Sequence, residues 1–401
     1  MKKLQLIILM FLISYGSIGA VTFVSGLPLI AEYFKISSNI ANYTITSYLF
    51  GYAFGQLLYG PLTNRFGVRP SLRVGTIISL LGTIAAISSY YLKYFPVLVI
   101  ARFIMALGCA CGLKMTFTLS SKLYTHNEAA RIMGLLTMAF AITPSIGIYL
   151  GSIAITMFNW TGGFYIMIFY SLVVLLLINK LPAHLDENCC VKLDLKSVLL
   201  GYFYQLKCYR IILGGMLVGL GSSFVYIFAS VSPFIVMNQM HLNTDAFGYY
   251  SFIPSVGIVL GSILANHYGK SASPEKCLLW GLIISLIGCV IMVICYITLH
   301  SHVLGLFMPM IIIYMGLSFI FGNAAAISMK NITDKSNASA VMSFINMISA
   351  VIVVSFIGMF NLYSQIDLIL IYFALIVIGF ICFVFINEGK TDENTKHLTY
   401  K

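Results

Sequence analysis

Long apolar stretches separated by short polar segments follow one another along the whole chain. Because about 20 apolar residues are needed for a helix to cross a hydrocarbon core of roughly 30 Å, the pattern predicts twelve membrane-spanning helices. The longest polar interruption divides the chain nearly in half. We therefore predict an all-α membrane protein with six-helix halves at 1–181 and 208–387, a cytoplasmic linker at 182–207 and a cytoplasmic tail at 388–401. The predicted spans begin near Leu4, Ile40, Ser71, Phe95, Ala130, Trp160, Cys208, Ala246, Lys276, Val303, Ala338 and Asp367.

A local repeat supports the division into two related halves. The segment Asn64–Gly67 after the second span matches Asn266–Gly269 after the eighth, 202 positions later. Gly55 maps onto Gly257 with the same offset. Matches at equivalent places in both halves are expected of a duplicated six-helix unit, as in many secondary transporters.

The composition excludes a soluble globular domain, since 60% of residues are hydrophobic and only 9% are charged. The first apolar stretch, Leu4 to Ile30, is longer than a signal-peptide core, so we expect a retained helix. Most of the nine cysteines fall in apolar stretches. Cys189 and Cys190 lie in the linker, where no His or Cys stands at ligand spacing. We expect no cofactor, metal or disulfide.

The formal net charge is +11, and the distribution of the basic residues among the loops indicates membrane insertion rather than nucleic-acid binding. With a cytoplasmic N-terminus, nineteen Lys and Arg residues lie on the cytoplasmic side, and only Lys35 and Lys93 lie in outer loops. Arg102 and Lys114 remain within a span. The positive-inside rule then predicts a multi-pass protein of a bacterial inner (cytoplasmic) membrane, with both termini in the cytoplasm. The lipid bilayer is its expected surrounding, with no nucleic-acid partner.

The segment Gly51–Pro70, with the sequence GYAFGQLLYGPLTNRFGVRP, resembles the signature of the major facilitator superfamily. The resemblance is to its bicyclomycin-resistance-like branch of drug:proton antiporters in particular. In this segment Gly60 permits close helix approach, Gly67 permits a tight turn, and Arg65 and Arg69 anchor the turn at an anionic membrane face. The resemblance implies that this loop is a conformational latch between the halves.

The resemblance continues over nearly the whole chain. Pro144, Gly147 and Gly151 look like the fifth-span motif associated with antiporters, although ordinary helix packing explains such residues equally well. Ser230–Phe234 and His241–Gly248 look like the seventh span and following outer loop of the same branch. The resemblance implies a monomeric transporter that moves a small organic molecule by alternating access.

Two departures from the branch remove negative charge. Asn64 stands where the family usually has Asp, which weakens the expected latch because Asn cannot form a charge-assisted pair. Val21 stands where drug:proton antiporters of this branch commonly carry Asp. None of the twelve acidic residues is predicted at mid-membrane depth, so the usual carboxylate-based proton coupling is not expected. Glu32 and Asp367 could still lie in a wet vestibule.

Two basic residues, Arg102 and Lys114, lie inside the fourth span, where an unpaired charge is costly. Arg102 matches a family position implicated in coupling, or it hydrogen-bonds to carbonyls of neighbouring helices. Lys114 has no family counterpart, and it either snorkels to the cytoplasmic surface or acts as a cavity cation that binds an anionic substrate or titrates. The other candidate cavity residues are polar or aromatic: Tyr48, Tyr52, Gln56, Tyr226, Ser230, Asn323 and Asn346.

The leading interpretation is a drug-efflux-like exporter of a small organic molecule, with protons as a possible coupling ion. An alternative is a transporter of an anionic metabolite or carboxylate siderophore, in either direction, without carboxylate-based proton coupling. A non-transporting membrane sensor is a remote alternative. An enzyme is not expected, because no paired carboxylates and no HExxH or GxSxG pattern occur at membrane depth.

Overall fold

Fifteen α-helices make up most of the computed structural model, which describes residues 2–124, 126–182, 194–269, 271–299, 302–330, 332 and 334–398. Cys189 and Cys190 lie outside these residues. The helices are α1 (Lys2–Val21), α2 (Leu27–Phe34), α3 (Ser38–Phe66), α4 (Val68–Leu92), α5 (Phe95–Leu123), α6 (His126–Phe158), α7 (Gly162–Ile178), α8 (Leu195–Leu206), α9 (Tyr209–Phe234), α10 (Thr244–Tyr250), α11 (Phe252–Tyr268), α12 (Pro274–Leu299), α13 (Val303–Ser328), α14 (Lys335–Phe360) and α15 (Gln365–Leu398).

The predicted twelve-span, all-α fold is confirmed, and each span begins within four residues of its predicted start. Ten stretches of the described residues are long and apolar enough to cross a membrane. One of them, Ile142–Ile178, contains parts of both α6 and α7. Helix α3 is not among the ten because it carries polar side chains, such as Asn42 and Gln56, that are buried in protein rather than exposed to lipid.

The first span is interrupted near its predicted outer end. Helix α1 ends at Val21, a short 3₁₀ turn covers Val24–Gly26, and α2 begins at Leu27. Pro28 lies in the first turn of α2, where a missing N–H costs nothing because those donors have no intrahelical partner. The interruption leaves the last carbonyls of α1 in need of other donors.

The linker contains helix α8, which the sequence pattern did not predict. Gly201 lies close to the Asn337 amide at the start of α14, at 2.6 Å from the position that a β-carbon on Gly201 would take. Asp334 caps α14 by accepting hydrogen bonds from the backbone and side chain of Asn337. Burial, and secondly the nearby Asp334 carboxylate, raise the pKa of Tyr202 to about 12. Helix α8 therefore packs against the start of α14.

The chain divides into two compact units, which are described separately. Unit 1 comprises Met1–Val198, Ile227–Phe252 and Val351–Tyr363. Unit 2 comprises Leu199–Tyr226, Ile253–Ala350 and Ser364–Lys401. Unit 1 therefore contains the predicted outer ends of several spans from the second half. The predicted boundaries between halves and linker stay a prediction.

A second internal repeat supports the duplicated design. Gly75–Gly82 in α4 reads GTIISLLG, and Gly281–Gly288 in α12 reads GLIISLIG, 206 positions later. In unit 1, a β-carbon at Gly108 of α5 would meet backbone atoms of the first glycine and of the serine in the α4 segment GTIISLLG. In unit 2, a β-carbon at Gly316 of α13 would meet the same two residues of the other segment. The third span therefore packs on the fourth through the same residue types with which the ninth packs on the tenth.

Candidate transport site

Arg102 of α5 lies at the interrupted end of α1 and is fully buried. Its Nη1 donates to the Gly19 carbonyl at 2.6 Å and its Nη2 to the Ala20 carbonyl at 3.4 Å. Its Cζ lies 3.9 Å from the ring centre of Phe23 and 4.1 Å from that of Tyr48. Gly19 and Ala20 belong to the last turn of α1, whose carbonyls have no intrahelical partner. Arg102 therefore serves as a buried cap for α1, held between two aromatic faces.

The predicted antiporter glycines of α6 also lie against the interruption of α1. A β-carbon at Gly151 of α6 would overlap the Thr22 carbonyl oxygen, and one at Gly163 of α7 would lie 2.5 Å from it. A β-carbon at Gly147 would lie 2.9 Å from Cγ2 of Val21. Pro144 is half-buried within α6, one turn before Gly147. These glycines allow α6 and α7 to approach the point where α1 is interrupted.

Several predicted cavity residues already use their polar groups in hydrogen bonds within the protein. The Tyr48 hydroxyl donates to the Gly16 carbonyl at 2.8 Å, and Asn323 Nδ2 donates to the Phe319 carbonyl of its own helix. Ser230 Oγ donates to Asn42 Oδ1 at 2.6 Å. These three groups are satisfied without a substrate.

Other predicted cavity residues keep polar atoms available. Among the described residues, buried Gln56 Nε2 and Asn346 Oδ1 have no hydrogen-bond partner. Gln56 follows buried Tyr52 by one turn of α3, and Tyr52 stacks on Tyr48 with ring centres 6.2 Å apart. Tyr226 is half-buried in unit 2, as is Asn346. An unsatisfied buried amide is costly, so Gln56 and Asn346 are the amides best suited to receive a polar ligand.

Lys114 lies on α5 in a different setting from Arg102. It follows Ala106 and Ala110 at four-residue spacing, and these alanines are the α5 side chains met by β-carbons built on Gly51 and Gly55 of α3. Lys114 is half-buried, and its ammonium makes no hydrogen bond or ion pair with any described residue. It is a partly desolvated cation available to an external partner.

Carboxylates with a described environment lie at helix ends rather than in helix interiors. Asp367 accepts hydrogen bonds from the backbone and hydroxyl of Ser364 and so caps α15. Asp367 is one of the two acids for which the sequence left a wet vestibule open, and here its carboxylate is used in capping a helix. The other, Glu32, is exposed near the end of α2. Val21 is buried, as expected of an apolar residue at the position where the branch commonly has Asp.

Asn42, which the sequence reasoning missed, joins three spans at the predicted outer end of unit 1. Its Oδ1 accepts from Ser230 of α9, and its Nδ2 donates to the Val354 carbonyl of α14 at 3.2 Å. Nearby, the Tyr363 hydroxyl donates to the Ser38 carbonyl at 3.2 Å. A single Asn near the start of a polar span was the available signal. These contacts hold α3 to the second half of the sequence.

A second contact joins the halves at the same predicted end. Ser145 Oγ of α6 donates to the Ser251 carbonyl between α10 and α11 at 2.8 Å. A β-carbon at Gly248 would lie 2.8 Å from Ser152 of α6. The hydrogen bond from Asn42 to Val354 joins spans two and eleven, and the contacts of α6 with Gly248 and Ser251 join spans five and eight. A six-span repeat interchanges these two pairs, so they form a pseudo-symmetric gate, here called the outer gate.

The loop after α3 has the geometry that its glycine predicts. Gly67 has a φ of 92°, in the left-handed region that favours glycine, and it separates α3 from α4. Asn64 and Arg65 are exposed, and Arg69 is half-buried. Beside them, Arg73 Nη2 donates to Asn179 Oδ1 at 2.9 Å after α7. Gly60 is half-buried one residue before Pro61. The latch role of this loop stays a prediction.

A multi-pass bundle with an interrupted first helix and paired gate contacts has the architecture of a membrane transporter. A model of the Major Facilitator Superfamily matches residues 7–359. The chain therefore belongs to the major facilitator superfamily, and it is a secondary transporter rather than an enzyme. The resemblance carried by Gly51–Pro70 is confirmed.

Individual proteins agree with this assignment. An uncharacterized transporter from Rickettsia felis is 27% identical over 305 residues, covering 73% of this chain and 74% of that protein. A bicyclomycin resistance protein homolog from Haemophilus influenzae is 23% identical over 254 residues, 62% of each chain. The structure of the xylose transporter from E. coli in a partially occluded inward-open conformation matches with a TM-score of 0.73 over 96% of both chains, at 14% identity. That likeness concerns the fold alone.

Proposed function

We propose that the protein exports a small, drug-like organic molecule by alternating access, with a preference for neutral or anionic compounds. The interrupted first span carries the proposal: α1 stops at Val21, Arg102 caps it, and Gly151 admits α6 to the same point. A helix interruption stabilised inside a bundle is the kind of element that transporters use for binding and for motion. The Haemophilus relative's name supports a drug-efflux role.

The charge preference rests on Lys114. Arg102 is committed to the carbonyls of α1, which leaves Lys114 as the half-buried cation without a partner among the described residues. Buried Gln56 supplies a neutral polar contact in the same unit. A lipophilic cation would require a carboxylate inside a helix bundle, and none is described there. We assign Lys114 to substrate binding, with Gln56 of the same unit as a further contact.

Purified protein in proteoliposomes is expected to move bicyclomycin or an organic carboxylate faster than empty liposomes do, and to leave tetraphenylphosphonium unmoved. Radiolabelled flux measures this directly, with and without an imposed pH gradient. Lys114→Met should raise the KM for a carboxylate at least about tenfold, because a desolvated ion pair is lost. Lys114→Arg keeps the charge and should stay within about threefold of the parent chain.

Three outcomes would count against parts of this proposal. Flux of no compound in a broad panel would remove the transport assignment. Unchanged flux in Lys114→Met would return Lys114 to the snorkelling interpretation. Flux that follows the pH gradient would show that proton coupling operates without the branch's usual carboxylate.

The outer gate makes a separate prediction about conformational equilibrium. Ser230→Ala removes a buried hydrogen bond and leaves Asn42 Oδ1 unpaired, which should cost the closed gate about 1 kcal/mol or more. In a chain that carries Val354→Cys, labelling by a membrane-impermeant maleimide added to whole cells should then be about fivefold faster. The Val354 carbonyl, which accepts from Asn42, is kept in this reporter.

Ser232→Ala is the matched control for the gate. Ser232 is also fully buried on α9, but its hydroxyl donates to the Phe228 carbonyl of its own helix. The chain that carries both Ser232→Ala and Val354→Cys should be labelled at the same rate as the chain that carries Val354→Cys alone. Equal rates in Ser230→Ala and Ser232→Ala would show that the bond to Asn42 does not hold the gate.

A further inference from the structure

A cleft of about 360 Å³ lies at the predicted outer end of the first half, apart from the residues assigned to transport. Its lining comes from α2, the end of α4 and the 3₁₀ turn Asn159–Thr161 between α6 and α7. A volume of 300 to 1,000 Å³ is typical of small-molecule sites. The lining residues are Leu29, Glu32, Tyr33, Tyr90, Asn159 and Trp160.

Three aromatic rings form most of this cleft. Tyr33 stacks on Tyr90 with ring centres 4.8 Å apart, and Trp160 lies at 5.7 Å and 5.8 Å from the two tyrosine rings, tilted to both. The Tyr33 hydroxyl donates to the Tyr90 backbone carbonyl at 2.7 Å, which fixes the pair. The stacking covers one face of each tyrosine, but both side chains are only half-buried, so part of each ring remains open to a guest.

Trp160 differs from the tryptophans of an ordinary interfacial belt. Belt tryptophans keep their indole N–H at the headgroup level, where it finds a polar partner. Here Trp160 is only 2% exposed, and its Nε1 is buried without a hydrogen-bond partner among the described residues. Trp160 therefore borders the cleft with little open surface of its own, and the half-buried Tyr33 and Tyr90 supply most of the aromatic surface.

Glu32 supplies the negative charge beside these rings. Its side chain is exposed at the mouth, and it makes no ion pair or side-chain hydrogen bond with any described residue. Lys35 follows it by three residues and Lys93 follows Tyr90 by three, but both are exposed and neither pairs with Glu32. The carboxylate is thus available to a cation from outside, while the two lysines point to weak rather than tight binding.

We propose that this cleft binds an organic ammonium or pyridinium cation beside Trp160, through cation–π contact with Tyr33 and Tyr90 and charge pairing with Glu32. The same chemistry is offered by a soluble quaternary ammonium compound and by the choline headgroup of a lipid. The site is distinct from the Lys114 region, so binding here does not depend on transport.

The chain offers a direct optical test, because it has two tryptophans, Trp160 and Trp280. Trp280→Phe keeps an aromatic ring against Tyr268 and leaves Trp160 as the single tryptophan, which can be excited selectively over the tyrosines. In this background and in maltoside detergent, N-methylpyridinium, a contact quencher of indole, should quench Trp160 saturably. Tetraethylammonium should relieve the quenching, and benzoate at equal ionic strength should not.

Variants separate the charge from the rings. Glu32→Gln should weaken N-methylpyridinium binding at least about fivefold, and Tyr90→Leu about three- to tenfold. Glu275→Gln, which removes one carboxylate from the first turn of α12, should leave the affinity unchanged. Lys93→Gln should leave it unchanged or tighten it. Thermal unfolding of each variant checks that the fold is intact.

The competitors also identify the source of the cation. Stronger relief by dihexanoylphosphatidylcholine than by tetraethylammonium would assign the cleft to a lipid headgroup, and the reverse would assign it to a soluble cation. Non-saturable quenching, equal relief by benzoate, or unchanged affinity in Glu32→Gln would overturn the proposal. These readouts require no flux, so they fail or succeed independently of the proposed export.

Discussion

Arg102→Met is expected to destabilise the protein by about 3 kcal/mol or more and to lower its unfolding temperature by roughly 4 °C. Methionine occupies a similar length but donates no hydrogen bond. The Gly19 and Ala20 carbonyls would then be buried without donors, and the contacts with Phe23 and Tyr48 would be lost. Unfolding of the detergent-solubilised chain, followed by Trp fluorescence, measures the change.

The control and the contrary outcome are equally specific. Arg73→Met removes an exposed hydrogen bond to Asn179 and should shift the unfolding temperature by no more than about 2 °C. Hydrogen exchange in Arg102→Met should rise at residues 19–22 first, because that segment loses its donors. A chain that keeps its stability but loses flux would instead assign Arg102 to coupling or substrate binding, the other role that the sequence left open.

Gly151→Ala is expected to have the second large effect, with a cost of more than about 3 kcal/mol and loss of most flux. The new β-carbon would overlap the Thr22 carbonyl oxygen, a backbone atom that moves only if α1 or α6 moves. Monodispersity, unfolding temperature and flux of the variant measure the effect. Since the obstacle is backbone, no second side-chain substitution should restore the variant.

Gly147→Ala provides the graded comparison on the same helix. Its β-carbon would meet Cγ2 of Val21 at 2.9 Å, and this side chain can rotate or be shortened. We expect Gly147→Ala to lower the free energy of unfolding by about 1 kcal/mol. The double variant that also carries Val21→Ala should recover this stability. Equal damage at both positions, or rescue of Gly151→Ala by Val21→Ala, would contradict the packing account.

If both predictions hold, the antiporter-like motif in this chain acts through packing at the interruption of α1. Pro144, Gly147 and Gly151 would set how closely α6 approaches α1, and Arg102 would hold the end of α1 by hydrogen bonds to its last carbonyls. Motion at this point during alternating access would then be sensitive to both residues. The absence of the branch's usual Asp at Val21 would leave the coupling step to other groups, which the pH-gradient arm of the flux experiment tests.

Much of the fold could be predicted from the sequence because membrane insertion acts on local properties. A stretch of about 20 apolar residues must form a helix in lipid, whatever its neighbours do. For that reason the twelve spans were predicted within a few residues, although α3 is polar in composition. The glycine turn at Gly67 was predictable for the same reason, since a positive φ is a property of one residue. The family could be predicted because its signature at Gly51–Pro70 is continuous in the chain.

The use of each polar residue was decided by the tertiary structure, because hydrogen-bond partners lie far apart in the sequence. The sequence predicted Tyr48, Ser230 and Arg102 as cavity residues. Their polar groups instead form hydrogen bonds with Gly16, Asn42 and the end of α1, respectively. Conversely, the cleft beside Glu32 joins residues from three separate segments. Composition and order along the chain determined that this protein is a two-halved membrane transporter. Packing alone decided which of its buried polar groups remain available for a ligand.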